Sequence, residues 1–558
     1  FRRVLFRSSN KVLPDGSISA KLNYAGKSTA TGDSFIARSG GGAITLAYTM
    51  LGIDGNADGK LSAAETGHGG NVSASSISGD LVFQAGTQLD DGTAVATLGH
   101  VTLSTGSYAT ASGVIGAAQK GDIRFSFNDL PEAPATGGFE GSMGNLAVTT
   151  LGGDITWASS RLDGAVGTVT MKAGSVAHAG GVAVGHIFTP DVITFNSSVG
   201  RISAEVADLG TLGVNLSLNG PLAASGGGVS LTSQYGSLTA QLRAGAFDAD
   251  GNALLSAGEF GQMGDVTIVS TGGAQSVTLQ SALFQSDTEL SRIGKVSLQN
   301  ATFVDVKAGA TDVLGTGKSA LGSTITNAAG DITVIGAAGQ TGRVGDLLAV
   351  TTTGLITQRG TFGDIGATTL RTGAYFDVDS SSATTTEPPL LLASGGIVLG
   401  TSGFQSVGRG QDVDPGTDNP FTLDVVENFL PHQPLSIQGQ HGLVTLEVKE
   451  AGTISGSVYY GGAATGTDSL VATTERGALS LAVWLEDADR DRNGTLAPSE
   501  YGTLGATSLT ATAGGDVTLL LGTDQNATAV SKLGFVPEFK FGPVTASATE
   551  SYTATDAA

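Results

Sequence analysis

One short unit recurs from end to end of this chain and constrains its fold more than anything else. A glycine is followed by a small or polar residue and then by apolar residues alternating with Thr or Ser. Gly79-Asp-Leu-Val-Phe83, Gly121-Asp-Ile-Arg-Phe125, Gly153-Asp-Ile-Thr-Trp157, Gly264-Asp-Val-Thr-Ile268, Gly330-Asp-Ile-Thr-Val334 and Gly515-Asp-Val-Thr-Leu519 are examples. Alternation with a period of two is the signature of a half-buried strand. The repeated glycine is read as a corner where positive φ lets the chain turn before each strand. Many short strands with glycine corners, at irregular spacing, suit a chain that coils upon itself. The expected fold is all-β: an elongated parallel β-helix-like repeat with inserted metal loops and short helical turns. An array of β-sandwich domains is the alternative, although its close hairpin turns are rare here.

Composition agrees. Gly numbers 85 of 558 residues and aromatics are 6%. The 40% hydrophobic content is too high for a disordered chain. Cysteine is absent, which excludes disulfide scaffolds, Cys-ligated zinc and thiol nucleophiles. A net charge of −22 repels nucleic acid and suits a chain that meets divalent cations.

Within the repeat stand three copies of a second motif. Residues Asp54, Asn56, Asp58 and Glu65 occupy positions 1, 3, 5 and 12 of the first copy. Asp248, Asp250, Asn252 and Glu259 do so in the second, and Asp489, Asp491, Asn493 and Glu500 in the third. The flanks repeat as well. Gly42, Gly236 and Gly477 each precede the first acidic residue by 12 positions, and Gly67, Gly261 and Gly502 follow the last by two. Each dozen resembles the calcium loop of the EF-hand family. That resemblance implies Ca²⁺ held by the four side chains and by the peptide carbonyl of position 7 (Lys60, Leu254, Thr495). It adds the hydroxyls of Ser62 and Ser256 at position 9, with the glutamate closing the shell.

Strand-like alternation precedes each loop, at Ile44 to Met50, Leu238 to Ala244 and Leu479 to Leu485, so no long entering helix is expected. One helical turn is expected at Ser62 to Glu65 and Ser256 to Glu259, ended by a C-cap glycine at Gly67, Gly261 or Gly502. The apolar eighth position (Leu61, Leu255, Leu496) is expected to pack on the host coil. Without paired helices there is no groove to open, so the loops read as staples rather than sensors. Site two carries Ala253 where sites one and three have Gly59 and Gly494. It is expected to be weakest, because a side chain at positive φ costs roughly 1 kcal/mol.

The chain divides on this reading into an adapter-like segment (1–8), a β-repeat region (9–380) with cassettes at 42–74 and 236–268, a Pro-rich excursion or boundary (381–434), and a β-repeat region (435–558) with a cassette at 477–509. Asp377, Asp379, Asp412 and Asp414 lack a closing glutamate and read as solvated loops. Catalytic signatures are not apparent. The six histidines are scattered and read as surface or turn residues, and Asp122, Asp154, Asp265, Asp331, Asp346, Asp364 and Asp516 follow corner glycines in a turn role. Trp157 and Trp484 read as core or edge packing. The chain also resembles, more loosely, Gly-rich β-strand-repeat proteins of bacterial surfaces. That resemblance implies an exported, extracellular structural or adhesive protein, not an enzyme, whose partners are calcium and a surface glycan or surface protein. A glycan-active β-helix lyase or glycosidase with structural calcium is the alternative. A dockerin-like role is disfavoured because the loops lie far apart.

Overall fold

The structure is a computed structural model. It describes residues 16–557 apart from short corner segments and the stretches 107–120, 129–137, 175–184, 301–330, 373–395, 401–434, 487–500 and 525–539. The chain is all-β, and no α-helix occurs among the described residues. Nearly every strand pairs in parallel with the equivalent strand one turn away, so the architecture is an elongated parallel β-helix.

Each coil runs through three faces. The long face is a 19-stranded sheet in which three levels carry two short strands each, leaving sixteen levels. These number the coils from 1 (Ile18–Ala25) to 16 (Tyr552–Ala557). The second face is a 15-stranded sheet of mostly five-residue strands, from Phe35–Ser39 to Val544–Ala548. A narrow third face joins them through strands as short as His68–Gly69 and Gln262–Met263. Stacking in register places Leu46 between Ala20 and Phe83. The period-two pattern therefore sends the same column of apolar side chains inward in every coil. In coils 1 to 6 the inward side is rich in rings drawn from neighbouring columns, and Tyr24, Tyr48, Phe83, Phe127, Trp157 and Phe195 follow one another in ring contact. Farther along it is Leu, Ile and Val. Trp157 is fully buried and donates from Nε1 to Ser160 Oγ at 3.0 Å.

The recurring glycine proves to serve a different purpose from the one expected. Among the described glycines, positive φ is confined to Gly59, Gly106, Gly174, Gly360, Gly400 and Gly456. The corner glycines are needed for space. A Cβ on Gly79 would lie 2.3 Å from the carbonyl oxygen of Gly42, and one on Gly153 would lie 2.2 Å from that of Gly121. Successive corners stack backbone on backbone with no room between them. At several corners a hydroxyl three residues earlier ties the glycine down. Ser76 Oγ accepts from Gly79 N–H at 2.8 Å and donates to the Gly42 carbonyl at 3.1 Å. Thr150 repeats this between Gly153 (2.9 Å) and Gly121 (3.1 Å).

The aspartate after the corner glycine belongs to a ladder between coils. Asp80 Oδ1 accepts from Asp122 N–H at 3.0 Å, Asp122 from Asp154 at 2.9 Å, and Asp154 from His186 at 2.9 Å. His186 Nδ1 continues it to Thr211 N–H at 2.9 Å. A parallel column runs through Asn71, His100 and Asn145. Asp265, Asp331, Asp346 and Asp364 accept from the next coil in the same way. Burial raises the Asp154 carboxyl above the usual aspartate range, although His186 pulls the other way. The ionised form is thus disfavoured in the fold, a penalty present above the raised pKa and gone below the ordinary one. Asp154→Asn keeps the acceptor and drops the charge. It is expected to raise the melting temperature at neutral pH, by no more than the roughly 1 kcal/mol available to a partly solvated charge. The gain should vanish in melts at pH values below the normal aspartate pKa.

The shaft continues through the Pro-rich region, since Ile397–Leu399 pairs with Ile356–Phe362 on one side and Ile454–Tyr460 on the other. The Pro-bearing segments on either side of it, with Asp377, Asp379, Asp412 and Asp414, lie outside the described residues.

Candidate metal centre

All three cassettes leave the shaft at one corner, between the long face and the third face. They follow the strands Ile44–Leu51, Leu238–Ala244 and Leu479–Glu486. The alternation ahead of each loop is as read from the sequence: Ile44, Leu46, Tyr48 and Met50 are buried, as are Leu238 to Ala244 and Leu479 to Leu485 at alternate positions. Loops one and two have a neck of antiparallel backbone bonds in a largely parallel fold. Gly52 bridges Thr66 and Ala246 bridges Phe260. Ile53 N–H donates to the Glu65 carbonyl at 3.0 Å, and Phe247 N–H to that of Glu259 at 2.9 Å. Gly261 N–H reaches the Gly245 carbonyl at 2.7 Å, and Gly502 N–H reaches that of Glu486 at 2.8 Å.

The glycines after the loops are not the C-caps expected, since none has positive φ. A Cβ would lie 2.5 Å from the Tyr24 carbonyl oxygen at Gly67, 1.9 Å from that of Leu218 at Gly261, and 1.9 Å from that of Tyr460 at Gly502. Each acceptor belongs to the preceding coil, so the glycine lets the returning chain press against the shaft. Of the helical turn, the described residues show one bond in each of loops one and two, from Glu65 N–H to the Ser62 carbonyl and from Glu259 N–H to the Ser256 carbonyl, both 2.9 Å.

Loop one shows how the acidic groups shape the backbone. Asp54 accepts from Asp58 N–H at 3.2 Å and from Gly59 N–H at 2.8 Å. Asp58 Oδ1 accepts from Lys60 N–H at 2.9 Å, while Asn56 Oδ1 accepts from Asp58 N–H at 3.0 Å. Glu65 reaches back across the loop. Its Oε1 accepts from Gly55 N–H at 2.9 Å, and its Oε2 from Ser62 N–H at 2.9 Å and Ser62 Oγ at 2.7 Å. The Ser62 hydroxyl, helped by these backbone donors, holds the Glu65 carboxyl below the usual range. The reversal needs left-handed backbone at Ala57 (φ 57°) and Gly59 (φ 78°). Leu61, at the eighth position, lies over Gly52, where a Cβ would sit 2.3 Å from Leu61 Cδ1.

Loop two repeats three of these bonds. Asp248 Oδ1 accepts from Asn252 N–H at 3.2 Å, and Glu259 accepts from Ala249 N–H at 2.6 Å and Ser256 N–H at 2.7 Å. They match Asp54 with Asp58 and Glu65 with Gly55 and Ser62, position for position. Phe247 in its neck sits 5.4 Å beneath the Arg161 guanidinium, which is itself paired with Asp163 at 3.0 Å, so this loop rests on an earlier coil. Asp250, Ala253 and Leu254 lie outside the described residues, as do Asp489, Asp491, Asn493, Thr495 and Glu500 of loop three. In this arrangement the oxygens point at backbone N–H groups. Among the described residues no three His, Asp or Glu side chains gather closely enough to hold an ion. Asn56 Nδ2 donates to Asp58 Oδ2 at 3.0 Å, and an entering cation has to displace that bond.

The histidines divide. His100 and His186 are the turn residues expected, and His68 Nδ1 meets Thr97 Oγ1. His441 is fully buried, contrary to expectation. It lies 4.3 Å from the Tyr460 ring, and Nε2–H donates to the Thr503 carbonyl at 3.1 Å. Burial lowers its pKa. His178 and His432 lie outside the described residues. Trp484 lies half-buried on the outward side of the long face, stacked on Tyr459 at 6.2 Å. No helix among the described residues is long and apolar enough to cross a membrane. Comparison with protein-family models, with curated proteins and with solved structures finds no match.

Proposed function

We propose that the chain is a calcium-binding structural or adhesive repeat rod of an extracellular surface, in which Ca²⁺ rigidifies the three loops. One observation carries this reading. The cassette coil, from latch hydroxyl to the end of the second-face strand, spans 39–76, 233–270 and 474–511, three stretches of equal length with every flanking glycine in step. Loops one and two also share their carboxylate-to-backbone bonds. Those bonds pin the reversed backbone, so the oxygens of positions 1, 3, 5 and 12 need only rotate inward. The position 7 carbonyl, joined in loops one and two by the position 9 hydroxyl, completes a hard oxygen shell. A divalent cation cancels the repulsion among the carboxylates and joins the loop's two arms above its neck. The outward rows of the second face favour a structural role. Ser73 and Thr102 stand in register, and beyond Ala147 the row continues through Thr170, Ser203, Ser230 and Thr267.

Calorimetric titration with CaCl₂ tests the proposal. The intact chain is expected to bind up to three ions, in the roughly 0.1–1 mM range typical of extracellular modules. A variant carrying Glu65→Gln, Glu259→Gln and Glu500→Gln is expected to bind none in that range. Heat indistinguishable between the two chains refutes the reading.

A further inference from the structure

Most of the ties that hold the shaft join neighbouring coils, and His441 is an exception. It sits on the third face of coil 12, bridged to Ile365 of coil 11 and Ala464 of coil 13. Its Nε2–H reaches past coil 13 to the Thr503 carbonyl of coil 14, at 3.1 Å. Thr503 is fastened at two further points. Its N–H donates to the Gly462 carbonyl at 3.2 Å, and its Oγ1 accepts from Ala464 N–H at 2.9 Å. Thr465 N–H and Oγ1 in turn donate to the His441 carbonyl, at 2.8 and 2.9 Å. Three coils are thus gathered on one histidine and one threonine. The polar groups there are only half satisfied. His441 is fully buried, and its other ring nitrogen, Nδ1, lies 3.3 Å from the Gly442 carbonyl oxygen. A neutral imidazole has one N–H for these two acceptors, so one nitrogen meets an oxygen lone pair. Tyr460, whose ring lies 4.3 Å away, buries a hydroxyl that has no partner. Such a network is held by its surroundings and is costly to disturb.

We infer that His441 is an acid-sensitive tie: taking up a proton opens the third face of coils 12 to 14, while the remaining coils hold. Protonation supplies the missing N–H to Gly442, but it also places a cation in a closed site. Among the described residues, the titratable side chains on the elements packed round it are Tyr460, Asp364 and Tyr501. Burial pushes the Tyr460 hydroxyl up, so it stays neutral. Asp364 precedes the bridging Ile365, and its Oδ1 accepts from Gln440 N–H at 2.8 Å. Tyr501 stands two residues before Thr503. Burial of the imidazole outweighs the pull of the two carbonyls and lowers its pKa. Above the ordinary histidine value of about 6.5, His441 is neutral in both the closed and the opened state, and its stability is fully present. Below that value the opened state takes up the proton first, and stability falls. One proton can raise the opening constant by at most about tenfold per pH unit. Each coil touches only its neighbours, so the loss stays local. None of the calcium-loop residues takes part, and the tie stands or falls apart from calcium binding.

The two tryptophans stand in different parts of the rod, Trp157 in coil 5 and Trp484 in coil 14. Trp157→Phe and Trp484→Phe therefore give two single-tryptophan chains, whose fluorescence follows urea unfolding of each part separately. Between about pH 7.5 and about pH 5.5 histidines titrate while ordinary carboxylates stay ionised. Over that interval the opening constant read by Trp484 is expected to rise several-fold, up to about tenfold. His441→Gln keeps an N–H donor and removes the titration. It is expected to cut the rise at Trp484 to less than about twofold and to leave the response of Trp157 as it was. An equal rise at Trp484 with and without His441 overturns the tie. A change at Trp157 as large as that at Trp484 overturns its local action. If the glutamine chain shows no folded baseline at Trp484, NMR of the wild-type imidazole decides. Its ring is expected to stay neutral until Trp484 begins to unfold, and a ring protonated within the closed coils overturns the proposal.

Discussion

Chelating divalent cations with EGTA is expected to lower the unfolding temperature of this rod by about 5–8 °C, which scanning calorimetry can measure. A ligand that binds only the folded state stabilises it by about 2.7 kcal/mol at a hundred times its Kd, so three loops together contribute about 8 kcal/mol. Spread over the unfolding entropy of a chain of this size, that amounts to several degrees. The effect need not fall on one transition. In a stacked array each coil touches only its neighbours, and stability is close to a sum of coil and interface terms. Calcium should therefore raise most the transitions of coils 2, 8 and 14. Single variants dissect the sum. Glu65→Gln is expected to remove about a third of the shift. Glu259→Gln should remove less, because Ala253 replaces the glycine that supplies the reversal at Gly59. A melt that EGTA leaves unchanged contradicts the staple mechanism even if some calcium binds elsewhere.

Legibility in the sequence followed the range of the interactions. The strands and their inward columns could be read, because alternation is a local property and the buried set at Ile44, Leu46, Tyr48 and Met50 obeys it. The cassettes were visible for the same reason, since their spaced acidic and amide residues fall within a dozen positions. What could not be read depends on the coil above or below. The glycine before each strand suggested positive φ, yet what it answers is a carbonyl one coil away, as Gly79 answers Gly42. Asp154 was recognisably a turn residue, but its partner, the His186 N–H, is 32 residues distant. A pair of hydroxyl and glycine three apart, as in Ser76 and Gly79, was a local signal that could have revealed the corner latch. His441 looked like the other scattered histidines, and only stacking shows that Tyr460 and Thr503 enclose it.

The glycine column sets up the second large effect, and one coil supplies its own control. Gly210 opens coil 7, and a Cβ there would lie 1.5 Å from the Gly185 carbonyl oxygen of coil 6. No rotamer relieves that contact, because both sides of it are backbone. To admit even a methyl group, coils 6 and 7 must separate at the corner. That movement strains the bonds from Gly210 N–H to Asp208 Oδ1 at 2.9 Å and from Ile187 N–H to the Thr211 carbonyl at 3.0 Å. Overpacking that side chains can absorb costs about 1–3 kcal/mol, and a backbone clash lies at or above the top of that range. Gly210→Ala is therefore expected to cost about 3 kcal/mol or more. Gly213 lies three residues on, within the strand Leu212–Leu218, and faces outward, where the nearest atom to an added Cβ is 4.0 Å away. Gly213→Ala is expected to change stability by less than about 0.5 kcal/mol. Hydrogen exchange should localise the damage in Gly210→Ala. Amides of coils 6 to 8 lose protection, while those of coils 1 to 3 keep it, as nearest-neighbour coupling requires. Equal behaviour of the two variants would show that the corners tolerate a side chain, and the spatial account of the recurring glycine would then be wrong.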